Sequence, residues 1–435
     1  MKRLARLGLL ALIPLPFMAC QEELPTATRD DLVPVEAVSF EVVLPFEAFG
    51  SNLRVFGGFG SPAELPYAVL AHEYEGELEA RALIGMRPYP TAATVTDSTG
   101  ASRPDSSLTF VGGRIVAWFD TLTSVYDGPV DLALGTLDHP WHFGTATWQV
   151  AVDSISGYQE WPEEGAGPVT PLVSGTWDPA EADSVVFELD SAAVALWADT
   201  AAAAQGFRFD ALTPGVRLET SIVRLFLSTR PSSNPDTLVD LLVQQRFRTF
   251  VYKPVLEAPE SEMRVGGVPA WRTVFDMDFP AALDGPEELC QSVGCPLTLK
   301  PEMINSAYLS LKTDTTTAAF RPSDSLRVDI REILQPERLP KSPLGNSLSG
   351  SFGVPFAPEL FGESAGSRVE IPLGPYVSDL IAAKSQPELV VPGTLVLLSV
   401  FEPQSLPFAT FIGSAGGDGP EIRMIITVGQ GVEIR

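Results

Sequence analysis

The chain has 435 residues, 45% of them hydrophobic and 19% charged, which suffices for packed cores and suggests two or three domains. Lys and Arg number 29 against 55 Asp and Glu, a formal charge of −26. Such a surface repels phosphate backbones and anionic headgroups, which argues against nucleic acid as a partner. The 39 prolines and 36 glycines are spread along the sequence, the mark of many turns rather than one disordered tract.

The sequence opens on Lys2, Arg3 and Arg6, followed by the apolar run 7–20, LGLLALIPLPFMAC. A basic start, a short apolar stretch and a small residue before a cysteine predict a secretory signal. Phe17-Met18-Ala19-Cys20 resembles the lipobox of bacterial lipoproteins, although Phe17 and Met18 are bulkier than its usual residues. The resemblance implies a signal over 1–19 and lipidation of Cys20, with Gln21 directing the protein to the outer membrane of the cell envelope. An ordinary signal with an incidental cysteine is the alternative. Each buried CH₂ contributes about 0.8 kcal/mol, so several acyl chains hold a protein to a membrane where one would not. No later apolar run approaches ~18 residues, so no transmembrane helix is expected. Residues 20–36 are polar, contain prolines and lack apolar periodicity, and read as a flexible tether.

From residue 38 onward, short segments rich in Val, Phe, Thr and Leu are punctuated by Gly, Pro, Asp and Ser, the pattern of an all-β protein. Ser51-Asn-Leu-Arg-Val-Phe-Gly-Gly is echoed by Ser261-Glu-Met-Arg-Val-Gly-Gly, and each precedes a second strand candidate, 67–72 and 271–279. The stretch 184–190 followed by 194–204 is matched by 367–373 followed by 376–384, and the closing strands 237–243 and 421–428 complete both series. Four matches in one order predict two tandem antiparallel, jelly-roll-like β-sandwiches, over 37–244 and 245–430, each with one short helix. The first helix, 192–204, is capped by Asp190 or Ser191, buries Val194 and Trp197, and ends at Gly206. The second, 376–384, turns Tyr376, Val377 and Leu380 inward.

A strand over 185–189, a short helix with Trp197, then Gly206 and an alternating strand resemble the DNRLRE family of extracellular β-sandwich domains. Ser306-Ala-Tyr-Leu-Ser-Leu is similar to that family's A-x-L-x-L strand, and Val265-Gly-Gly with Val274-Phe-Asp-Met-Asp to its opening strands. The namesake motif is absent, so the likeness is one of layout across most of 40–430. It implies domains that bind carbohydrate or serve as structural modules of surface proteins.

Cys290 and Cys295 form an even pair once Cys20 is set aside, and an oxidising compartment predicts a disulfide between them. So short a loop contributes roughly 2 kcal/mol. A two-cysteine metal site is the alternative, but His72, His139 and His142 all lie far upstream.

Candidate chemistry is sparse. Gly362-Glu-Ser364-Ala-Gly matches a nucleophile-elbow pattern, yet no histidine follows residue 142 and a strand, not a helix, is expected next. Asp138-His139-Pro-Trp-His142 offers two imidazoles and a carboxylate to a divalent transition metal, or else a surface loop with Trp141 packed inward. Asp276 and Asp278 share one side of a strand, so an ion between them competes with a solvated sheet face. Glu163 and Glu164 are adjacent, point apart on extended chain and cannot flank one glycosidic bond. Tyr89, Tyr126, Tyr158 and Trp161 sit in Gly/Pro-rich stretches as candidate sugar-stacking rings, whereas Trp118, Trp148, Trp177, Trp197 and Trp271 lie in core-like contexts. No phosphate loop or dinucleotide fingerprint occurs, and no cofactor is expected. The expected role is a non-catalytic binding, adhesion or structural module of the envelope, with a glycan as the favoured ligand. A polysaccharide-acting enzyme and an accessory subunit of an envelope complex are the alternatives.

Overall fold

The computed structural model describes residues 35–96, 100–155, 157–400, 402, 405–413 and 418–431. The expected signal, Cys20 and the tether as far as residue 34 lie outside them. The chain is all-β, with only short helices among antiparallel strands.

One nine-stranded sheet occupies 68–252. It closes over its own core because two long strands serve both layers. Val216–Pro231 pairs first with Ala68–Tyr74 and then, past a register shift between Thr220 and Ile222, with Leu108–Phe119. Val239–Tyr252 pairs with the second half of that strand and then crosses to Leu78–Met86 through a bulge between Gln245 and Phe247. A bulge bends and twists the strand that carries it, which is what a strand changing layers requires. Between the layers lie Trp177, Trp197, Phe187, Phe207, Phe209 and Phe250, all fully buried.

The C-terminal strands repeat this pairing scheme. Arg368–Pro372 lies on Ile304–Lys312 as Ser184–Asp190 lies on Leu108–Phe119. Thr394–Ser399 sits between Arg272–Met277 and Leu326–Ile333 as Phe207–Ala211 sits between Leu78–Met86 and Val130–Leu137. Phe408–Ile412 on Glu262–Gly266, with Glu421–Gly431 on Ile304–Lys312, reproduces the two halves of Val216–Pro231. The counterpart of Val239–Tyr252 comes from the other end of the chain. Val35–Pro45 pairs along its whole length with Glu421–Gly431, and Gly50–Phe56 pairs with Arg272–Met277. The helical turn Phe46–Phe49 joins them where the first copy has its bulge.

The duplication is therefore present in the strand pairing, but its bounds differ from those expected. Residues 37–56 belong with the C-terminal strands, and a boundary at 244/245 would cut the continuous strand Val239–Tyr252. The echo between Gly50–Phe56 and Glu262–Gly266 joins two strands of the same copy, and Glu421–Gly431 matches part of Val216–Pro231 instead of 237–243. Short strands that leave through glycines look alike locally, whereas their partners are set by distant sequence. The first copy is inserted in the second through 57–67 and 253–261. The two also share apolar packing: Val268, Trp271, Phe320, Leu406 and Phe408 join the first copy's core.

The helix expected over 192–204 is two, Ser191–Leu196 and Thr200–Gln205, because Asp190 and Asp199 each cap a separate start. Val194 and Trp197 are buried as expected, and Gly206 ends the second helix at φ 67°. Gly374–Ser385 buries Tyr376, Val377 and Leu380. A further helix, Glu287–Val293, was not expected and leads into the Cys290–Cys295 disulfide, whose Cα atoms are 5.0 Å apart.

Deleting residues 35–56 is expected to abolish amide protection in Glu421–Gly431 and Arg272–Met277 while leaving Leu78–Met86 protected, as read by hydrogen exchange. Loss confined to 68–252 would contradict the pairing.

Candidate functional site

The loop that follows Val130–Leu137 folds back over the outer face of the first copy's sheet. There Leu83, Trp148, Trp161 and Val251 form a small satellite core, with Trp141 packed at its edge. The bulge in Val239–Tyr252 lies beside it. Because the register slips between Gln245 and Phe247, Arg246 is the extra residue and projects into solvent, while Phe247 comes to stand opposite Gly85. Gly85 is required there: a Cβ would lie 2.2 Å from the Phe247 ring.

Three aromatic rings meet at this point. Trp141 packs edge-on against Phe247 with centroids 5.2 Å apart, and Phe143 stacks nearly parallel on Phe247 at 5.3 Å. Trp141 is fixed by its indole N–H, which donates to the carbonyl oxygen of Gln205 at 2.8 Å. Gln205 is held in turn at the end of its helix by Gly206, where a Cβ would meet the Ile84 carbonyl at 1.8 Å. On the far side Ser61 donates to the Gly144 carbonyl oxygen at 3.0 Å, tying the turn Pro62–Glu64 to the loop. These parts enclose an open cavity of about 680 Å³ lined by Trp141, His142, Phe143, Gln205, Arg246, Phe247 and Arg248, with Ala63, Leu65 and Pro140. Phe143 remains 41% exposed, so its ring is available to a ligand. Arg246 lies over the Phe247 ring at 5.8 Å. Arg248 donates to the Pro66 carbonyl oxygen, its Nε is buried without a partner among the described residues, and burial lowers its pKa.

Of the candidate metal and sugar-stacking residues named from sequence, His142 alone lines this cavity, beside Trp141, which was expected to pack inward. Asp138 accepts from Thr170 Oγ1 at 2.7 Å, His139 faces Gln159, and His142 Nδ1 lies 3.1 Å from Thr145 Oγ1. Each has its own partner, and no group of three His, Cys, Asp or Glu among the described residues could hold a metal ion. The candidate metal set is thus not assembled. Asp276 accepts from Asn52 and Thr394, and Asp278 pairs with Lys384, so these two carboxylates do not share an ion either. Glu163 is bridged to Gly167. Ser364 sits in the turn before Arg368–Pro372, as its context indicated.

The candidate sugar-stacking rings are scattered. Tyr158 is 64% exposed on the short strand Gly157–Glu160. Exposure is not what the structure shows for the rest. Trp161 is only 5% exposed and donates to the Thr147 carbonyl oxygen. Tyr89 packs edge-on against Phe110 and donates to the Val194 carbonyl oxygen at 2.6 Å. Tyr126 packs against Trp177. Glycine and proline nearby permit a loop but do not say which way its rings turn.

A second cavity, of about 370 Å³, opens between the two copies and collects Tyr67, Arg217, Glu219 and Glu402. Glu219 accepts from Thr123 Oγ1 at 2.9 Å and lies 3.8 Å from Arg217, while Glu402 takes two bonds from Arg272, at 2.8 and 3.0 Å. Burial pushes both carboxyls above their ordinary value of 4.5, and lifts the Tyr67 phenol to about 12. No local motif marks either glutamate, and only the inserted topology brings them to one cleft.

Two outcomes follow. Gly85→Ala should cost about 1–3 kcal/mol in urea unfolding by forcing Phe247 off its seat. Most of that penalty should vanish when Phe247→Ala is added, since the two changes act on one contact. A carboxyl raised in the folded state opposes folding at neutral pH and is relieved as pH falls toward 4.5, where the unfolded chain also binds the proton. The stability difference between Glu219→Gln and the parent chain should therefore shrink as pH is lowered through that window, a trend that unfolding midpoints will read. No family model matches the chain, and no curated protein matches it, so the site is interpreted from its own geometry.

Proposed function

We propose that this protein is a lipid-anchored, non-catalytic binding module of the cell envelope, and that its ligand is a glycan held at the Trp141–Phe143–Phe247 pocket. The observation that carries the reading is the aromatic cluster itself, three rings gathered around an open cavity with one ring seated on Gly85. The apolar C–H face of a sugar ring packs on the electron-rich face of an arene, and a few fixed polar groups then set orientation. The DNRLRE-like layout, with its jelly-roll-like sandwiches, fits the same reading. Acyl chains on Cys20 would tether the chain directly ahead of Val35–Pro45, so the copy carrying the pocket hangs from the membrane through its partner.

A second reading, a polysaccharide-acting enzyme, draws on the two raised carboxyls facing one cleft, a pattern that active sites share with structural ion pairs. It ranks lower because Glu219 and Glu402 each already have a cation within reach.

One experiment addresses anchor and ligand together. Cells labelled with a tagged fatty acid should show label on the parent protein and none on Cys20→Ser, which should leave the membrane fraction. On a glycan array the parent should bind, and Phe143→Ala should lose most of its signal. A parent that washes from membranes unlabelled defeats the anchor, and an array without signal defeats the ligand.

A further inference from the structure

The charge around the aromatic pocket runs against that of the chain. Acidic residues outnumber basic ones 55 to 29, yet the cavity is lined by Arg246, Arg248 and His142 and by no Asp or Glu. Glu64 belongs to the turn beside it, is exposed, and does not line the cavity. Neither arginine has a carboxylate partner among the described residues. Arg246 lies over the Phe247 ring, and Arg248 is held by the Pro66 carbonyl while its Nε stays buried without a partner among the described residues. Of the two arginines that line the cleft between the copies, Arg217 is matched by Glu219, while Arg327 donates to the Phe352 carbonyl oxygen.

A cationic cavity on an acidic protein repels nothing that is negative and small, and its low-dielectric aromatic wall strengthens the field inside it. The guanidinium fork matches a carboxylate or sulfate with two parallel hydrogen bonds. The register slip places that fork beside the ring on which a sugar would lie. We infer that the pocket selects anionic saccharides, sugars bearing a carboxylate or a sulfate, with Arg246 and Arg248 taking the acid group and Phe143 and Phe247 the ring. The inference rests on the glycan reading above and adds the ligand's charge to it.

The test uses the full chain in non-ionic detergent and isothermal titration with tetragalacturonate, its fully methyl-esterified form, and a sulfated heparin tetrasaccharide. At least one anionic probe should bind about tenfold tighter than the ester, the worth of one charge-assisted contact. The heparin fragment carries carboxylates as well as sulfates, so tetragalacturonate binding at least as tightly shows that a carboxylate suffices. Arg246→Gln should erase that preference, whereas Phe143→Ala should weaken every probe. Arg246 is exposed, so this variant is expected to fold, which an unchanged melting temperature will check. Equal binding of all three probes overturns the charge selection and leaves the glycan reading intact. Anionic binding that survives Arg246→Gln combined with Arg248→Gln overturns the assignment to this pocket. Failure of every probe to bind, while the array of neutral glycans gives signal, also overturns the charge selection; failure of both overturns the glycan reading itself.

Discussion

Each copy of this fold depends on one strand that leaves one layer of its sandwich and finishes in the other. In the first copy a single continuous strand, Val239–Tyr252, makes the crossing through a bulge. In the second copy the same path is taken by Val35–Pro45 and Gly50–Phe56 around the turn Phe46–Phe49. Without it, both Glu421–Gly431 and Arg272–Met277 would present open edges, the feature that β proteins most need to cover. Because the second copy takes its crossing strand from the start of the chain, the first copy must be inserted within it. Both connections line one cavity, and Gly58 and Phe59 of the first donate to the Pro269 carbonyl oxygen beyond the strand Glu262–Gly266. The cleft with Glu219 and Glu402 follows from that insertion.

Much of this was legible in the sequence, and what was not has a common cause. Period-two alternation revealed the strands, a cap and a terminal glycine revealed the helical stretch, and an even pair of cysteines close in sequence revealed the disulfide. All of these are local signals. The partner of Val35–Pro45 is not local: Ser39 bonds Thr427 across 388 positions. Loop closure over such a distance leaves no trace in composition, so the boundary between copies could not be read from similarity alone. The site shares this difficulty, since Trp141, Gln205, Phe247 and Gly85 come from four separate segments. One clue was present. Val243 and Phe250 are both buried in the same core although seven positions apart, which strict alternation forbids. A strand that changes parity contains a bulge, and a bulge re-aims a side chain.

The two copies show why the site belongs to only one of them. In the second copy, Phe46 packs over Gly50, where a Cβ would lie 2.4 Å from the ring, much as Phe247 packs over Gly85. There, however, the crossing is a helical turn that drives Phe46 and Phe49 into the core against Phe275 and Phe279. The first copy crosses by a bulge and leaves its ring on the outer face. The wider sheet surfaces diverge in the same sense. On the second copy Arg423 pairs with Glu370 at 3.1 Å and Arg368 with Glu421 at 2.7 Å, surface ion pairs worth little to stability. On the first, the matching face carries Trp118, Val186, Ile222, Phe226 and Leu242, with Arg224 and Arg114 laid over the two aromatic rings. Duplicated folds that differ only by drift should differ evenly over their surfaces. Here the copy that holds Val35–Pro45 carries the ion pairs, and the inserted copy carries the outward-facing aromatic rings.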